Sequence, residues 1–229
     1  MFDKREFYGN IGLKGESKQD FEALNAGKHT YLQDFGTYLK QCVKTLDPND
    51  EVRQNKEFSQ EECYQIIAPV VEREPFLLLP KSRQMMMSWI CMAYCSYLML
   101  KINNAACFVS CKKEGDAGFD NPYSMLSRIQ HIFENLPQEI RVGIKPNKKP
   151  PKITLQNGSF VQALTKDDSS FRQYAATLFI FDEFAFQKNA DLIYTAIIPA
   201  CKRLIGLSTP NGKFNLFYRL VFDTNERAS

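Results

Sequence analysis

Three segments place chemically useful side chains directly after runs of apolar residues. The first is Phe76-Leu77-Leu78-Leu79, followed after Pro80 by Lys81-Ser82-Arg83-Gln84-Met85-Met86-Met87-Ser88. A strand, a loop and a helix N-terminus in that order can cradle phosphate. Backbone N–H groups and the helix dipole attract the anion, a lysine reaches the outer phosphates and a hydroxyl ligates magnesium. The usual pattern for this work, G-x-x-x-x-G-K-[ST], is not met. Ser88 keeps the final hydroxyl, but Lys81, Met86 and Met87 stand where the first glycine, the second glycine and the lysine would be. Alone, the segment reads more simply as a helix N-terminus with two basic residues.

The second segment is Leu178-Phe179-Ile180-Phe181-Asp182-Glu183, in which apolar residues lead to two adjacent carboxylates. In nucleotide hydrolysis such an aspartate holds magnesium and the glutamate polarises the attacking water. An acidic pair ahead of a helix is also a common cap. The third is Gly206-Leu207-Ser208-Thr209-Pro210-Asn211-Gly212, where two hydroxyls precede a turn. Hydroxyls there can sense a terminal phosphate, and alone they would read as an ordinary turn. Order and spacing change the weighing. A basic loop, an acidic pair 101 residues after Lys81 and a Ser-Thr pair beginning 25 residues after Glu183 occur in the sequence of an ATPase core, each at a strand end.

The elements that must carry these ends follow from the apolar patterning. Continuous apolar runs over 76–79, 105–110, 176–181 and 203–208 read as buried strands. Helical spacing appears over 33–46, 57–71, 123–136, 190–201 and 214–222, and the uncharged stretch Gln84 to Leu100 reads as a helix buried on all sides. Asn157-Gly158, flanked by alternating residues within 152–164, signals a hairpin. Strands alternating with helices imply an α/β fold with a mostly parallel sheet flanked by helices, whose ligands bind beyond the strands' carboxyl ends. The first 56 residues, polar and scattered with aromatics, read as a helical or irregular extension preceding a domain over 57–229. Arg141, Lys145, Lys148, Lys149 and Lys152 form a basic run interrupted by Pro146, Pro150 and Pro151, which argues for a loop. It suits either backbone contact with a nucleic acid or a solvated approach to the hairpin.

Composition sets the outer limits. At 229 residues and 26.4 kDa the chain has room for one large domain, and 44% apolar with 24% charged residues excludes collagen, low-complexity disorder and a disulfide miniprotein. A net charge of +3 decides nothing about a nucleic-acid partner. Seven cysteines with no Cys-x-x-Cys pair, and two histidines without zinc-type spacing, indicate reduced thiols in a cytosol-like compartment. The charged N-terminus has no secretory leader. The uncharged run of 17 residues falls short of the ~20 needed to span a bilayer, so no membrane partner is expected.

With these residues in hand, the chain from about Glu61 to Tyr218 resembles the ATPase domain of the large subunit of DNA-packaging terminases of tailed phages and herpes-type viruses. Lys-Ser-Arg-Gln-Met-x-x-Ser-Trp resembles that family's Walker A in its deviant form, with the lysine moved to the start of the loop. Met86 departs from it by lacking the glycine. The resemblance implies a P-loop NTPase fold of the RecA-like (ASCE) type and a motor that uses ATP and Mg2+ to drive double-stranded DNA into a capsid. It implies ATP binding by Lys81, Ser82, Arg83, Gln84, Met85, Met86, Met87 and Ser88, with Arg83 beside the reacting phosphates. Magnesium is then held by Ser88 and the Walker B Asp182, Glu183 is catalytic, and Ser208, Thr209 and Pro210 form the coupling motif. Gln65, sixteen residues before Lys81, would read adenine or be an exposed helix glutamine. Arg172, eleven residues before Glu183, would be a finger completing a neighbouring subunit's site, or an ion-paired loop residue. Lys145, Lys148 and Lys149 would contact DNA. The resemblance further implies a homo-oligomeric ring when active (the isolated domain monomeric), portal protein and small terminase subunit as partners, and a place in the host cytoplasm, transiently docked on the procapsid. The nuclease half that follows the ATPase in such proteins has no room here. The alternatives are the first RecA-like domain of a helicase, which predicts a normal glycine-lysine P-loop, and a non-catalytic DNA-binding or scaffold module with a decayed P-loop.

Overall fold

In the protein's structure, a computed structural model, residues 30–46, 55–83, 85–164 and 175–222 are described. Its centre is α3 (Met87–Lys101), the uncharged segment, in which every residue from Trp89 to Leu100 is buried. A helix apolar on every face has no side to offer water, so it must be enclosed. One side of α3 lies on the sheet. The others are covered by α1 (Phe35–Cys42), α2 (Glu62–Arg73) and α5 (Met125–Glu134), the last preceded by the one-turn α4 (Glu114–Ala117).

Seven strands form one sheet in the order β3-β9-β8-β4-β7-β6-β5. These are β3 (Phe76–Pro80), β4 (Ala106–Ser110), β5 (Ile144–Lys148), β6 (Pro151–Leu155), β7 (Phe160–Ala163), β8 (Leu178–Asp182) and β9 (Leu204–Ser208). The pairs β3–β9, β9–β8, β8–β4 and β4–β7 are parallel, and β6 and β5 add antiparallel at the end. Strands β4, β8 and β9 are buried throughout, as continuous apolar runs must be when helices cover both faces. The two-residue period divides β8 between two cores. Leu178 and Ile180 join the one with α3, while Phe179 and Phe181 join the one under α6 (Ala190–Ile197) and α7 (Leu216–Phe222).

Three expectations are corrected. The helical spacing over 33–46 ends at Cys42, because Val43 is extended and β1 (Lys44–Leu46) pairs antiparallel with β2 (Asn55–Glu57). The helix expected from residue 57 begins at Glu62, since Glu57 belongs to that small sheet and Phe58 is buried in the core. Most of the basic run with its prolines is a strand pair, not loop: Lys145, Pro146 and Lys148 lie in β5, Pro151 and Lys152 in β6, and Lys149 and Pro150 form the turn between them. Pro146 pairs with Ile153, and β5 is the last strand of the sheet, where a residue without an N–H is tolerated.

Polar contacts fix how α1 seats on α3. Asp34 caps α1 by accepting from the Thr37 N–H at 2.8 Å, which lowers its carboxyl pKa. Glu72 of α2 accepts from the Phe35 N–H at 2.9 Å and from the Tyr97 hydroxyl at 2.7 Å, joining α1, α2 and α3. The Tyr38 hydroxyl, fully buried, lies 2.8 Å from Ser96 Oγ, which itself donates to the Ala93 carbonyl. Tyr38→Phe should therefore remove one buried hydrogen bond with little loss of packing. The expected cost is about 1 kcal/mol in urea unfolding, with the slope unchanged.

Candidate active site at the strand ends

Because β3, β9, β8 and β4 are parallel neighbours, their carboxyl ends open on one edge of the sheet. Pro80 is level with Ser208, Leu207 with Asp182, and Phe181 with Ser110. The register therefore sets Asp182 level with Leu207 and Cys111, with Ser208 one residue and Lys81 two residues further along their strands, and the Lys81 N–H donates to the Ser208 carbonyl at 3.0 Å.

The chemistry converges on Asp182, a buried carboxylate only 8% exposed. Ser88 Oγ, in the first turn of α3, donates to its Oδ2 at 2.7 Å. Lys81 Nζ stands 3.9 Å from its Oδ1, a charge pair at the long end of direct contact. A hydroxyl, a carboxylate and an ammonium in one place are the groups that hold a magnesium-bound phosphate. Among the described residues no three His, Cys, Asp or Glu side chains cluster as a metal cage. Two oxygen ligands fit magnesium, which takes one or two protein oxygens and completes its shell with water and phosphate.

Two left-handed residues shape the edge. Met86 has φ 50° and ψ 4° at the N-cap of α3, the position where the usual loop carries its second glycine. Met86 thus takes a conformation that glycine adopts readily, at a steric cost of roughly 1–2 kcal/mol. Glu183 has φ 51° and ψ 42°, and its N–H donates to Asp182 Oδ1 at 2.9 Å. The kink separates its half-exposed side chain from that of Asp182 and sends the chain into the 3-10 turn Phe184–Phe186. Phe184 stacks on Phe181 with centroids 4.3 Å apart. A Cβ on Gly206 of β9 would lie 2.7 Å from the Phe184 ring and 2.8 Å from Leu78, so the missing side chain is what admits that stack.

The loop after β8 is tied to both neighbouring strand ends. Ser208 Oγ accepts from the Ala185 N–H at 3.1 Å and donates to the Thr209 carbonyl at 2.8 Å. Asn211 Nδ2 donates to the Ala185 carbonyl at 2.9 Å. Gln187 Nε2 donates to the Asp182 carbonyl at 3.1 Å and its Oε1 accepts from Ser110 Oγ at 3.1 Å. Sequence reasoning missed Gln187 and gave Asn211 only a turn. Their bonds cross between loops, and the one available signal was their closeness to Asp182 and Thr209. Burial, together with the Asp182 and Glu183 carboxylates, pushes the Cys111 thiol up to about 12 and keeps it protonated.

The remaining candidates are dispersed. Ser82, Arg83 and Met85 are exposed on the loop, Met87 is buried in the core and Pro210 is exposed beyond the half-buried Thr209. Gln84 and Arg172 lie outside the described residues. Gln65 lines a separate cavity of about 380 Å³ between α1 and α2, with Asp34, Thr37, Phe58, Gln60 and Tyr64, and donates to the Gln60 carbonyl at 2.8 Å. None of Lys81, Ser88 and Asp182 lines that cavity. Lys145, Lys148 and Lys149 are exposed on and just after β5, at the opposite end of the strand order from β3.

A mostly parallel sheet with a loop and helix after β3, an acidic pair at the end of β8 and the strand β9 between them has the arrangement of a RecA-like fold. Solved structures narrow this to the form found in phage large terminases. The HK97 bacteriophage large terminase superposes with a TM-score of 0.65 over 87% of this chain at 11% identity. The Thermus phage P74-26 large terminase ATPase domain gives 0.52 over 71% at 12% identity. A large terminase from a thermophilic bacteriophage, in complex with ADP, gives 0.51 over 70% at 14% identity. The chain spans 42% of the HK97 protein's length and 69% of the P74-26 domain's. No family model and no curated protein matches the sequence.

The left-handed bend at Met86 carries a direct test. Met86→Gly should leave thermal stability within about 1 kcal/mol of wild type, relief of the bend offsetting glycine's entropy. Met86→Val should cost about 1–3 kcal/mol, because a β-branched residue fits poorly at that φ. Equal losses for the two variants, read by thermal unfolding, would contradict the bend.

Proposed function

We propose that this chain is the ATP-hydrolysing motor of a terminase large subunit and drives double-stranded DNA into a viral capsid. The observation that carries the reading is the Ser88–Asp182 hydrogen bond with Lys81 beside it, in a fold shared with phage large terminases. Ser88 and Asp182 supply the oxygens for Mg2+, which when bound neutralises charge on the outer phosphates of ATP. Lys81 pairs with those phosphates. Glu183 orients a water against the terminal phosphorus and takes its proton as the bond to the bridging oxygen breaks, releasing ADP and phosphate.

The links from Ser208 and Asn211 to Ala185 suit a coupling role, since movement of the loop carrying Glu183 pulls directly on the end of β9. Arg83 assists at the phosphates and Arg172 reaches a neighbouring subunit's nucleotide, so the active form is a ring. Portal protein and a small terminase subunit are the partners, and the motor works in the host cytoplasm docked on the procapsid. Lys145, Lys148 and Lys149 contact the DNA backbone from strand β5 and the turn after it.

Glu183→Gln should lower Mg-ATP hydrolysis by about 10²–10⁴-fold and leave ATP binding intact. The measurements are phosphate release and nucleotide titration on the full-length protein with DNA. Wild-type turnover in that variant would refute the role. Replacing Lys145, Lys148 and Lys149 together with alanine should reduce the slope of log affinity for duplex DNA against log salt by up to about 3. An unchanged slope would place the DNA elsewhere on the molecule.

A further inference from the structure

Arg128 sits in the second turn of α5, where its backbone N–H donates to the Ser124 carbonyl at 3.0 Å. Its Nε is sealed from solvent and has no hydrogen-bond partner. Its guanidinium lies 5.4 Å from the ring centre of Trp89, the residue that follows Ser88 on α3. The charged groups that act on it are led by Asp182 and include Asp116, yet it forms no ion pair with either. Burial lowers its pKa, and it remains a cation at any working pH.

An arginine held this way is expensive. A buried donor left unmade costs about 1–3 kcal/mol, and more when it is charged. The cation–π contact with the Trp89 indole recovers part of that, and the rest of the half-buried guanidinium keeps donors to offer a ligand. Such a group is retained where something completes it. The same edge of the sheet collects negative charge. Asp182 and Glu183 lie on one side, and a magnesium-bound triphosphate would arrive there with net negative charge of its own. Among the described residues, Lys81 is the one cation within ion-pair distance of Asp182. A cation fixed from α5 would add to that balance, and a bidentate donor suits a phosphate better than a carboxylate already engaged by Ser88.

We propose that Arg128 donates to the terminal phosphate of the bound nucleoside triphosphate, held ready by Trp89, and so lets the site distinguish triphosphate from diphosphate. The assignment rests on the nucleotide reading above and adds to it a residue from α5. The same contact links phosphate occupancy to α5, which packs against α3 and the inner face of β6 and β7.

The test is binding of fluorescent analogues of ATP (non-hydrolysable) and ADP, each with magnesium, to the full chain and to Arg128→Met and Arg128→Lys. Both variants keep most of the side-chain volume against Trp89, and thermal unfolding checks that they fold. For Arg128→Met the triphosphate Kd should rise about tenfold or more while the diphosphate Kd stays within about twofold. Arg128→Lys should lose less, since it keeps the charge and loses the fork. If Arg128→Met fails to fold, the Lys variant decides by the same selective pattern. Equal shifts for both nucleotides, or no shift, overturn the proposal while leaving the nucleotide site standing. A wild-type chain that binds neither nucleotide overturns the nucleotide reading itself, and this assignment with it.

Discussion

The hydrogen bond from Ser88 Oγ to Asp182 Oδ2 joins segments 94 residues apart, and the architecture around it holds both ends still. Ser88 is fixed because it opens a helix enclosed on every side. Asp182 is fixed because it ends a strand buried from end to end between two others. Neither side chain could be brought to the other with this accuracy from mobile loops. A buried carboxylate is tolerated because a hydroxyl, a backbone N–H and an ammonium all address it.

Around that bond the backbone takes conformations that ordinary residues avoid. Met86 and Glu183 both lie in the left-handed region, one two residues before Ser88 and the other directly after Asp182. Strain of this kind persists where the surroundings over-determine it, and here they do. The helix after Met86 is locked in the core. The turn after Glu183 is pinned by the Phe181–Phe184 stack, the vacancy at Gly206 and the Ser208 hydroxyl. Met86 thus holds a backbone conformation that glycine adopts readily and methionine seldom does.

Much of this was legible before any coordinates. Continuous apolar runs marked β4, β8 and β9, because a strand covered on both faces leaves no polar alternation, and marked β3 as well, although that edge strand is only half-buried; each run delivered its polar residues to the same edge. Strand β5 was not legible. Its residues are exposed apart from Ile144, which is half-buried, and its pairing is set by β6 rather than by its own patterning. The small sheet of β1 and β2 escaped for the same reason, since three-residue strands carry no period of their own. Gln187 and Arg128 escaped because their meaning lies in what faces them, Ser110 and Asp182 for one, Trp89 for the other.

By itself the sequence determined the alternation of strand and helix, the enclosure of the helix after the basic loop, and the three polar strand ends that define the class of chemistry. Those follow from local patterning, which burial reads residue by residue. The tertiary structure alone decided which polar groups meet. It set Ser88 and Lys81 on Asp182, turned Ser208 into a tie to the loop after β8, left Gln65 in a separate cavity and left the Arg128 Nε without a partner. Distances of a few ångströms between segments a hundred residues apart are set by sheet order and register, and no local pattern encodes them.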